Sequence, residues 1–454
     1  MQEHGKDSPG RFRLVTMGCR VNHFETARLR RWALEAGLRE QEEGPVDLVV
    51  VNTCTVTGES DRQARQLIRR LVREHPQARV VVTGCYARRA PDQLAALEGV
   101  HQVVGHADKA QAQHWFRSPG NALTLPWPQA PLGPSPDGTS APLEMLEGTE
   151  DRARAHLQVQ QGCDAACTFC IIPQVRGPSR SVPGEQVLAR ASALVQQGWN
   201  ELVLTGINLG AYGREGHGAA GLAALLESLL AQCGTGVRLR LSSLDPADVD
   251  DDLVAVFARH SALCPFVHLS MQSGDDLILK RMGRRHDAAR VRQVCARLRA
   301  ARPEMAFGAD VIVGFPTESD TAFHNTLALV RDEGIAFCHV FRYSDRPGTP
   351  AARIPQSFRV DDAVMRQRSA LLRAQGEANL RGLLQQRVGQ VGEIVVETLQ
   401  DGHAFGRDAA FLPVHVPTGQ PLPRHGQRLA VRYVGLWGDE AALAAQGLRD
   451  GENM

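Results

Sequence analysis

Three cysteines stand close together in the stretch QGCDAACTFCIIP, where Cys163, Cys167 and Cys170 have the spacing Cys-x3-Cys-x2-Cys. A compact loop of three thiolates suits a cubane iron–sulfur cluster, which usually takes four cysteines. With three, one iron is left open to an outside ligand, as a reactive cluster requires. Zinc prefers four ligands in paired spacing, and no suitable fourth cysteine or histidine lies nearby. The spacing therefore predicts a reactive [4Fe-4S] cluster.

A second set of cysteines is spread along the sequence but occupies equivalent positions. Cys19, Cys54 and Cys85 each end an apolar run, in LVTMGC, LVVVNTC and VVVTGC. The carboxyl ends of parallel strands open onto one edge of a sheet, so these three thiolates can meet around a second cluster. Ordinary core cysteines are the alternative.

The elements that must position these cysteines alternate between strands and helices. The N-terminal segment predicts a parallel α/β sheet, and a proline-rich stretch then predicts an interdomain linker. Six further strands, alternating with helices, predict a partial (β/α)6 barrel, and the tail predicts a small all-β module. The expected fold class is therefore α/β with a C-terminal all-β module. The expected boundaries are 10–117 for the N-terminal domain, 118–148 for the linker, 149–384 for the barrel and 385–447 for the module.

The bulk composition limits the class of protein. A chain of 454 residues predicts two or three domains, and a formal net charge of +1 argues against a uniformly basic nucleic-acid coat. No apolar run is long enough to span a bilayer and the N-terminus lacks a signal-peptide core, so we expect a cytoplasmic protein without a membrane partner. In a reducing compartment, clustered cysteines are more often metal ligands than disulfides.

Several motifs, in order, make nearly the whole chain resemble the radical S-adenosylmethionine (SAM) methylthiotransferases. The N-terminal motifs are GCRVNHFET, NTCTVT and TGCYA, and the cluster loop is QGCDAACTFCIIPQVRGPSRS. The later motifs are TGINLGAYG, RLSSLDP, HLSMQSGDDLILKRMGRR, DVIVGFPTE and YSDRPGTPA. The tail occupies the place of the family's RNA-binding TRAM module, although the match is loose.

The resemblance implies the cofactors and the reaction. SAM would chelate the open iron at Cys163, Cys167 and Cys170 and be cleaved to a 5′-deoxyadenosyl radical. The cluster at Cys19, Cys54 and Cys85 would hold the sulfur that is methylated and transferred. An electron donor such as a flavodoxin or ferredoxin is implied, whereas the sulfur source is not identified. Residues at strand ends that would hold SAM, with turn or core hydrogen bonding as the alternative, are Gly206, Asn208, Ser242, Ser243, Gln272, Asp310 and Gly314.

Family subtypes act on isopentenyladenosine in tRNA, on threonylcarbamoyladenosine in tRNA, or on a ribosomal-protein aspartate. GCRVNHFET and NTCTVT resemble the threonylcarbamoyladenosine subtype. The expected activity is thus transfer of a methylthio group to C2 of N6-threonylcarbamoyladenosine at position 37, beside the anticodon of tRNA. An iron–sulfur electron carrier or an RNA-binding protein is the rival from another class, but a carrier would be expected to ligate each cluster with four cysteines.

An RNA substrate should leave a basic surface. Arginines recur at helical spacing after Cys54, and two more follow the cluster loop. A solvated face of an amphipathic helix is an equally good interpretation of the first group. The candidate substrate contacts are Arg62, Arg65, Arg69, Arg176 and Arg180.

Overall fold

The computed structural model describes residues 10–105, 153–215, 221–419 and 422–448. The chain divides into two compact units. The first contains the N-terminal sheet together with Cys170–Gly177 and Ser344–Arg346, and the second contains Pro178–Tyr343 and the chain from Pro347 onward, with the segment that ends at Phe169. The predicted linker at 118–148 lies outside the described residues, and the predicted domain boundaries stay predictions.

The first unit contains a five-stranded parallel sheet with the strand order β2-β1-β3-β4-β5. Its elements are β1 (Arg11–Thr16), α1 (Arg20–Glu35), β2 (Arg39–Glu40), β3 (Leu48–Thr53), α2 (Gly58–Glu74), β4 (Arg79–Gly84), α3 (Cys85–Arg89), α4 (Pro91–Ala95) and β5 (Gln102–Val104). The predicted parallel sheet is confirmed, and the two short strands β2 and β5 extend it.

Alternation along the valine-rich strand β3 explains how both faces of this sheet are covered. Val49 and Val51 belong to an apolar cluster with Ile68 of α2. Val50 belongs to another cluster with Leu29 of α1. Successive strand residues point to opposite faces, so a strand buried on both sides is a nearly continuous apolar run.

The second unit contains two parallel sheets, with the strand orders β10-β9-β6 and β11-β12-β13-β14. The elements from the cluster loop onward are β6 (Ala155–Gln158), β7 (Gln160–Gln161), α5 (Ile172–Arg176, in the first unit), β8 (Arg180–Ser181), α6 (Gly184–Gln196), β9 (Glu201–Thr205), α7 (Leu222–Cys233), β10 (Arg238–Leu241), β11 (Ser243–Leu244), α8 (Asp251–Arg259), β12 (Phe266–Gln272), α9 (Asp276–Arg281), α10 (Ala288–Ala301), β13 (Ala306–Val313), α11 (Asp320–Asp332), β14 (Ile335–Arg342) and α12 (Asp362–Arg387).

The predicted six-strand core is confirmed with one difference. The third predicted strand is interrupted at Ser242, which separates β10 from β11. Among the described strands no pairing joins β6 to β14, so both remain edge strands and the barrel is partial. Within the part of the chain that is described, no helix is both long and apolar enough to cross a membrane.

The tail of the second unit is a closed five-stranded barrel with the order β15-β16-β17-β19-β18. Its strands are β15 (Val391–Gln400), β16 (His403–Asp408), β17 (Pro413–Pro417), β18 (Arg428–Leu436) and β19 (Leu443–Gly447). Inward side chains such as Ile394, Val414 and Val431 form its core. The predicted all-β module is confirmed.

Aromatic rings and buried charges join this module to the partial barrel. The ring of Phe411 lies 5.2 Å from that of Phe266 and 5.7 Å from that of Phe337. Glu201, which is fully buried, accepts 2.6 Å hydrogen bonds from both Arg154 and Arg240. Arg154 also donates to Glu397 of the module, and Arg240 donates to the carbonyl of Asp408 at 3.1 Å, so the two guanidinium groups connect the barrel to the module.

Candidate metal centres

The three separated cysteines of the first unit lie at neighbouring strand ends. Cys54 directly follows β3, Cys85 directly follows β4, and Cys19 precedes α1 just beyond β1. Gly18 has a φ of +98°, and a Cβ atom added to it would lie 2.5 Å from the Cβ of Cys54. The Cys19 loop therefore packs directly against Cys54, which is possible because residue 18 has no side chain.

Electrostatics show how closely these thiols interact. Burial, followed by the charges of Cys85 and Cys19, raises the pKa of Cys54 to about 11. Thiolates gathered at one edge of a sheet oppose one another's ionisation unless a cation lies among them. Thiolate donors select soft metals and iron–sulfur clusters, so this donor set fits the [4Fe-4S] cluster that the resemblance implies.

Arg176 is the charged partner of this group of cysteines. Its side chain is completely buried, and its Nε donates a 3.2 Å hydrogen bond to the Sγ of Cys85. The same guanidinium donates to Glu25 and to the Oδ1 of Asn22. Burial opposes the charge, but Cys85, Glu25 and Cys19 hold the pKa of Arg176 above its usual value. This guanidinium is engaged inside the protein, and its predicted contact with RNA stays a prediction.

A buried asparagine that the sequence reasoning missed connects the cysteine loops. Asn22 donates to the carbonyl of Met17 at 2.7 Å and to that of Thr53 at 3.0 Å. Asn52 in turn donates to the carbonyl of Asn22 at 2.9 Å. Both asparagines stand inside motifs quoted for the resemblance, so their signal was present without a stated role. They fix the ends of β1 and β3, which carry Cys19 and Cys54.

The loop between β7 and α5 carries the other three cysteines, each half-buried. The Sγ of Cys163 accepts from the backbone N–H of Ala165 at 3.4 Å, and that of Cys170 accepts from Ile172 at 3.4 Å. The Sγ of Cys167 accepts from Arg284 at 3.3 Å. Hydrogen bonds to sulfur are typical of cluster ligands, so these residues fit the [4Fe-4S] cluster of a SAM-cleaving site.

Arg284, which the sequence reasoning also missed, is held by two further acceptors. It donates to Asp245 at 2.8 Å and to the carbonyl of Ser270 at 2.7 Å. Asp245 accepts from the backbone of Ala247 as well, which fixes its carboxylate. Each group of cysteines thus has one arginine that is anchored by a carboxylate and donates to one sulfur.

Four of the predicted SAM contacts lie at the ends of β9 and β10. Asn208 donates its backbone N–H to the Oε1 of Gln160 at 2.8 Å, and a Cβ on Gly206 would lie 2.9 Å from that oxygen. Ser242 and Ser243 stand at the break between β10 and β11. The hydroxyl of Ser242 is buried and has no hydrogen-bond partner among the described residues, which suits a ligand group.

The other predicted SAM contacts have distinct local geometry. Gln272 ends β12 with a φ of +68°, where the register with β13 shifts. Gly314 has a φ of +76° and donates its N–H to Glu318 at 2.8 Å. Asp310 is hydrogen-bonded to His268, 3.0 Å away, and lies 3.5 Å from His339. Their contacts with SAM stay predictions.

The other predicted RNA contacts differ in how far they are engaged. Arg62 is exposed and pairs with Glu59. Arg65 donates to the hydroxyl of Tyr86 at 2.6 Å. Arg69 is exposed on α2, and Arg180 is half-buried on β8. The helix therefore does not present a uniform row of available arginines, and these contacts also stay predictions.

A partial parallel barrel whose first strand leads into a Cys-x3-Cys-x2-Cys loop defines a radical SAM protein. Family models agree: residues 157–330 match the Radical SAM superfamily, and residues 11–105 match the uncharacterised protein family UPF0004. A solved structure of similar fold is the radical SAM methyltransferase TsrM of Kitasatospora setae, with a TM-score of 0.55 and 16% identity over 76% of this chain and 77% of that one.

Curated relatives narrow the class. The threonylcarbamoyladenosine tRNA methylthiotransferase MtaB of Rickettsia prowazekii is 37% identical over 88% of this chain and 90% of its own. The MtaB of Bacillus subtilis is 36% identical over 84% of each chain. The tRNA-2-methylthio-N(6)-dimethylallyladenosine synthase of Erythrobacter litoralis is 34% identical over 86% of this chain and 87% of its own. The chain belongs to the radical SAM methylthiotransferase family.

Proposed function

We propose that this enzyme transfers a methylthio group to C2 of N6-threonylcarbamoyladenosine at position 37 of tRNA. The observation that carries the proposal is the presence of two sets of three cysteines in a chain whose relatives from several bacteria are named for this activity. When bound, the cluster at Cys163, Cys167 and Cys170 supplies the electron that cleaves SAM, and the cluster at Cys19, Cys54 and Cys85 supplies the sulfur site.

The chain's own residues hold and tune these centres. Arg284 and Arg176 each donate a charge-assisted hydrogen bond to one ligand sulfur. Such bonds stabilise negative charge on sulfur and set the potential at which an electron is accepted. Burial of Cys54 and Cys85 limits the access of water. The partner tRNA, the external electron donor and the cytoplasmic location belong to the same proposal.

Two cysteine variants of the full chain test the separate roles proposed for the two clusters. Anaerobically reconstituted protein should hold roughly eight irons, as two cubane clusters require. Cys163→Ala should abolish SAM cleavage. Cys54→Ala should retain SAM cleavage and lose the methylthio product. Full SAM cleavage by Cys163→Ala would overturn the assignment of the radical centre.

Mass spectrometry of tRNA nucleosides from cells with and without the gene tests the substrate. The methylthio form of threonylcarbamoyladenosine should disappear with the gene. The dimethylallyladenosine substrate is the second candidate, favoured by the relative from Erythrobacter litoralis. Loss of the methylthio form of that nucleoside instead would overturn the substrate assignment.

A further inference from the structure

Two histidines and an aspartate form a cluster on three neighbouring strands of the second unit. His268 lies on β12, Asp310 on β13 and His339 on β14. The Oδ1 of Asp310 lies 3.0 Å from the Nε2 of His268 and 3.5 Å from the Nδ1 of His339. The two imidazole rings are 4.7 Å apart. Strand pairing brings them together, since Asp310 is directly opposite His339 in the register.

Exposure increases across the cluster from the inner strand to the edge strand. The side chains are 9% exposed for His268, 25% for Asp310 and 62% for His339. Asp310 is thus hydrogen-bonded to the buried His268, whereas His339 is exposed to solvent. An imidazole has two ring nitrogens, and because Nδ1 of His339 faces Asp310, its Nε2 is the nitrogen left to contact an incoming ligand.

An aromatic side chain lies beside His339 on the same strand. Phe341 is 42% exposed. Residues two apart on a strand share a face, and their Cα atoms are about 6.6 Å apart. An exposed aromatic ring is a stacking surface for a nucleobase. A flat ring and an N–H donor at this separation suit a purine with a short anionic substituent.

The next cation along the strand is already engaged. Arg342 donates to Asp362 at 2.6 Å, and side chains alternate between the two faces of a strand. His339 is therefore the side chain with a free ring nitrogen that β14 offers on the face it shares with Phe341.

We propose that His339, positioned by Asp310 and His268, binds the carboxylate of the threonylcarbamoyl group, while Phe341 stacks on the adenine that bears it. The inference rests on the proposed function, because a threonylcarbamoyl group has a free carboxylate and a dimethylallyl group has none. It makes His339 a specificity-determining residue.

The test uses the full chain and two anticodon stem-loop RNAs. One carries N6-threonylcarbamoyladenosine, and the other carries the same nucleoside with its carboxylate blocked as a methyl ester. Fluorescence anisotropy gives the Kd of each. The wild type should bind the acid roughly tenfold more tightly than the ester, as expected for loss of a charge-assisted contact. His339→Gln should reduce this ratio to about one by weakening only the acid.

Two further variants separate the roles. Phe341→Ala should weaken the binding of both RNAs by the same factor and leave the ratio unchanged. His324→Gln alters an exposed histidine on α11 and should change neither Kd. Retention of the acid preference by His339→Gln would overturn the proposal, as would equal binding of acid and ester by the wild type. Binding of one equivalent of zinc by the wild type, but not by His339→Gln, would also overturn the proposal and would indicate a metal site. Failure of the proposed function would instead be detected by the mass spectrometry of tRNA nucleosides described above.

Discussion

The Nε of Arg176 donates a hydrogen bond to the Sγ of Cys85 at a distance of 3.2 Å, inside the first unit. Arg176 follows Cys170 by only six residues in the sequence. One short helix therefore begins just after a cysteine of one group and ends at the buried cation of the other. The contacts of Arg176 in the structure support the group of Cys19, Cys54 and Cys85, and its predicted contact with substrate stays a prediction.

Replacing Arg176 with glutamine should impair the centre at Cys19, Cys54 and Cys85. Removing one member of a buried charge pair costs about 3–5 kcal/mol, because Glu25 and the sulfurs lose their cation. We expect iron content to fall from roughly eight towards four atoms per chain while SAM cleavage is retained. Arg88→Lys is the control and should retain both clusters, because Arg88 donates to the backbone carbonyl of Gln174 rather than to a sulfur. Full iron content in Arg176→Gln would contradict the role.

Substituting Gly18 with alanine should displace Cys54. The new Cβ would meet Cys54, and the positive φ adds strain of about 1–3 kcal/mol. Gly37→Ala is a matched control, because Gly37 has a φ of +84° with open space around it. Iron analysis of the two variants should show a loss in Gly18→Ala alone. Equal losses in both would indicate that backbone strain, rather than the contact with Cys54, is responsible.

Arg284→Gln should shift the reduction potential of the SAM-cleaving cluster downwards. A hydrogen bond from a charged donor, such as the one to Cys167, contributes about 1.5–3 kcal/mol. For a one-electron couple, its loss corresponds to a shift of roughly 60–130 mV. Cys54→Ala should remove the other cluster. EPR-monitored redox titration of Cys54→Ala and of the double variant Cys54→Ala/Arg284→Gln therefore reports the SAM-cleaving cluster alone. An unchanged potential would show that Arg284 is structural only.

Acid should weaken the junction between the partial barrel and the β module. Arg240, Arg154 and Arg238 lower the pKa of Glu201 although its burial opposes the charge. A carboxylate with a lowered pKa in the folded state stabilises it above the unfolded pKa, and this contribution is lost as pH falls below about 4.5. The unfolding midpoint of the wild type should therefore fall on acidification.

Glu201→Gln isolates this effect. The variant should be less stable at neutral pH by about 3–5 kcal/mol, since three buried guanidinium groups lose their counter-charge. Its unfolding midpoint should depend less on pH between about 6 and 3, as followed by circular dichroism. Parallel pH profiles of the two proteins would exclude Glu201 as the source.

The strands, the helices and the grouping of six cysteines into two sets could be predicted from the sequence. Valine-rich runs alternating with amphipathic helices predict parallel sheets because burial on both faces demands continuous apolar strands. Cys163, Cys167 and Cys170 are local in sequence, so spacing alone revealed them. Cys19, Cys54 and Cys85 are predicted as a group because parallel strands end at a common edge.

The contacts of the other side chains could not be predicted, because they depend on how distant segments pack. Arg176 resembled a surface arginine in sequence, yet packing buries it against Cys85 and Glu25. His268, Asp310 and His339 are separated by long stretches of chain, and strand register alone brings them together. Local pattern fixes periodicity and therefore elements, whereas contacts between distant residues depend on register and packing, which no short window of sequence contains.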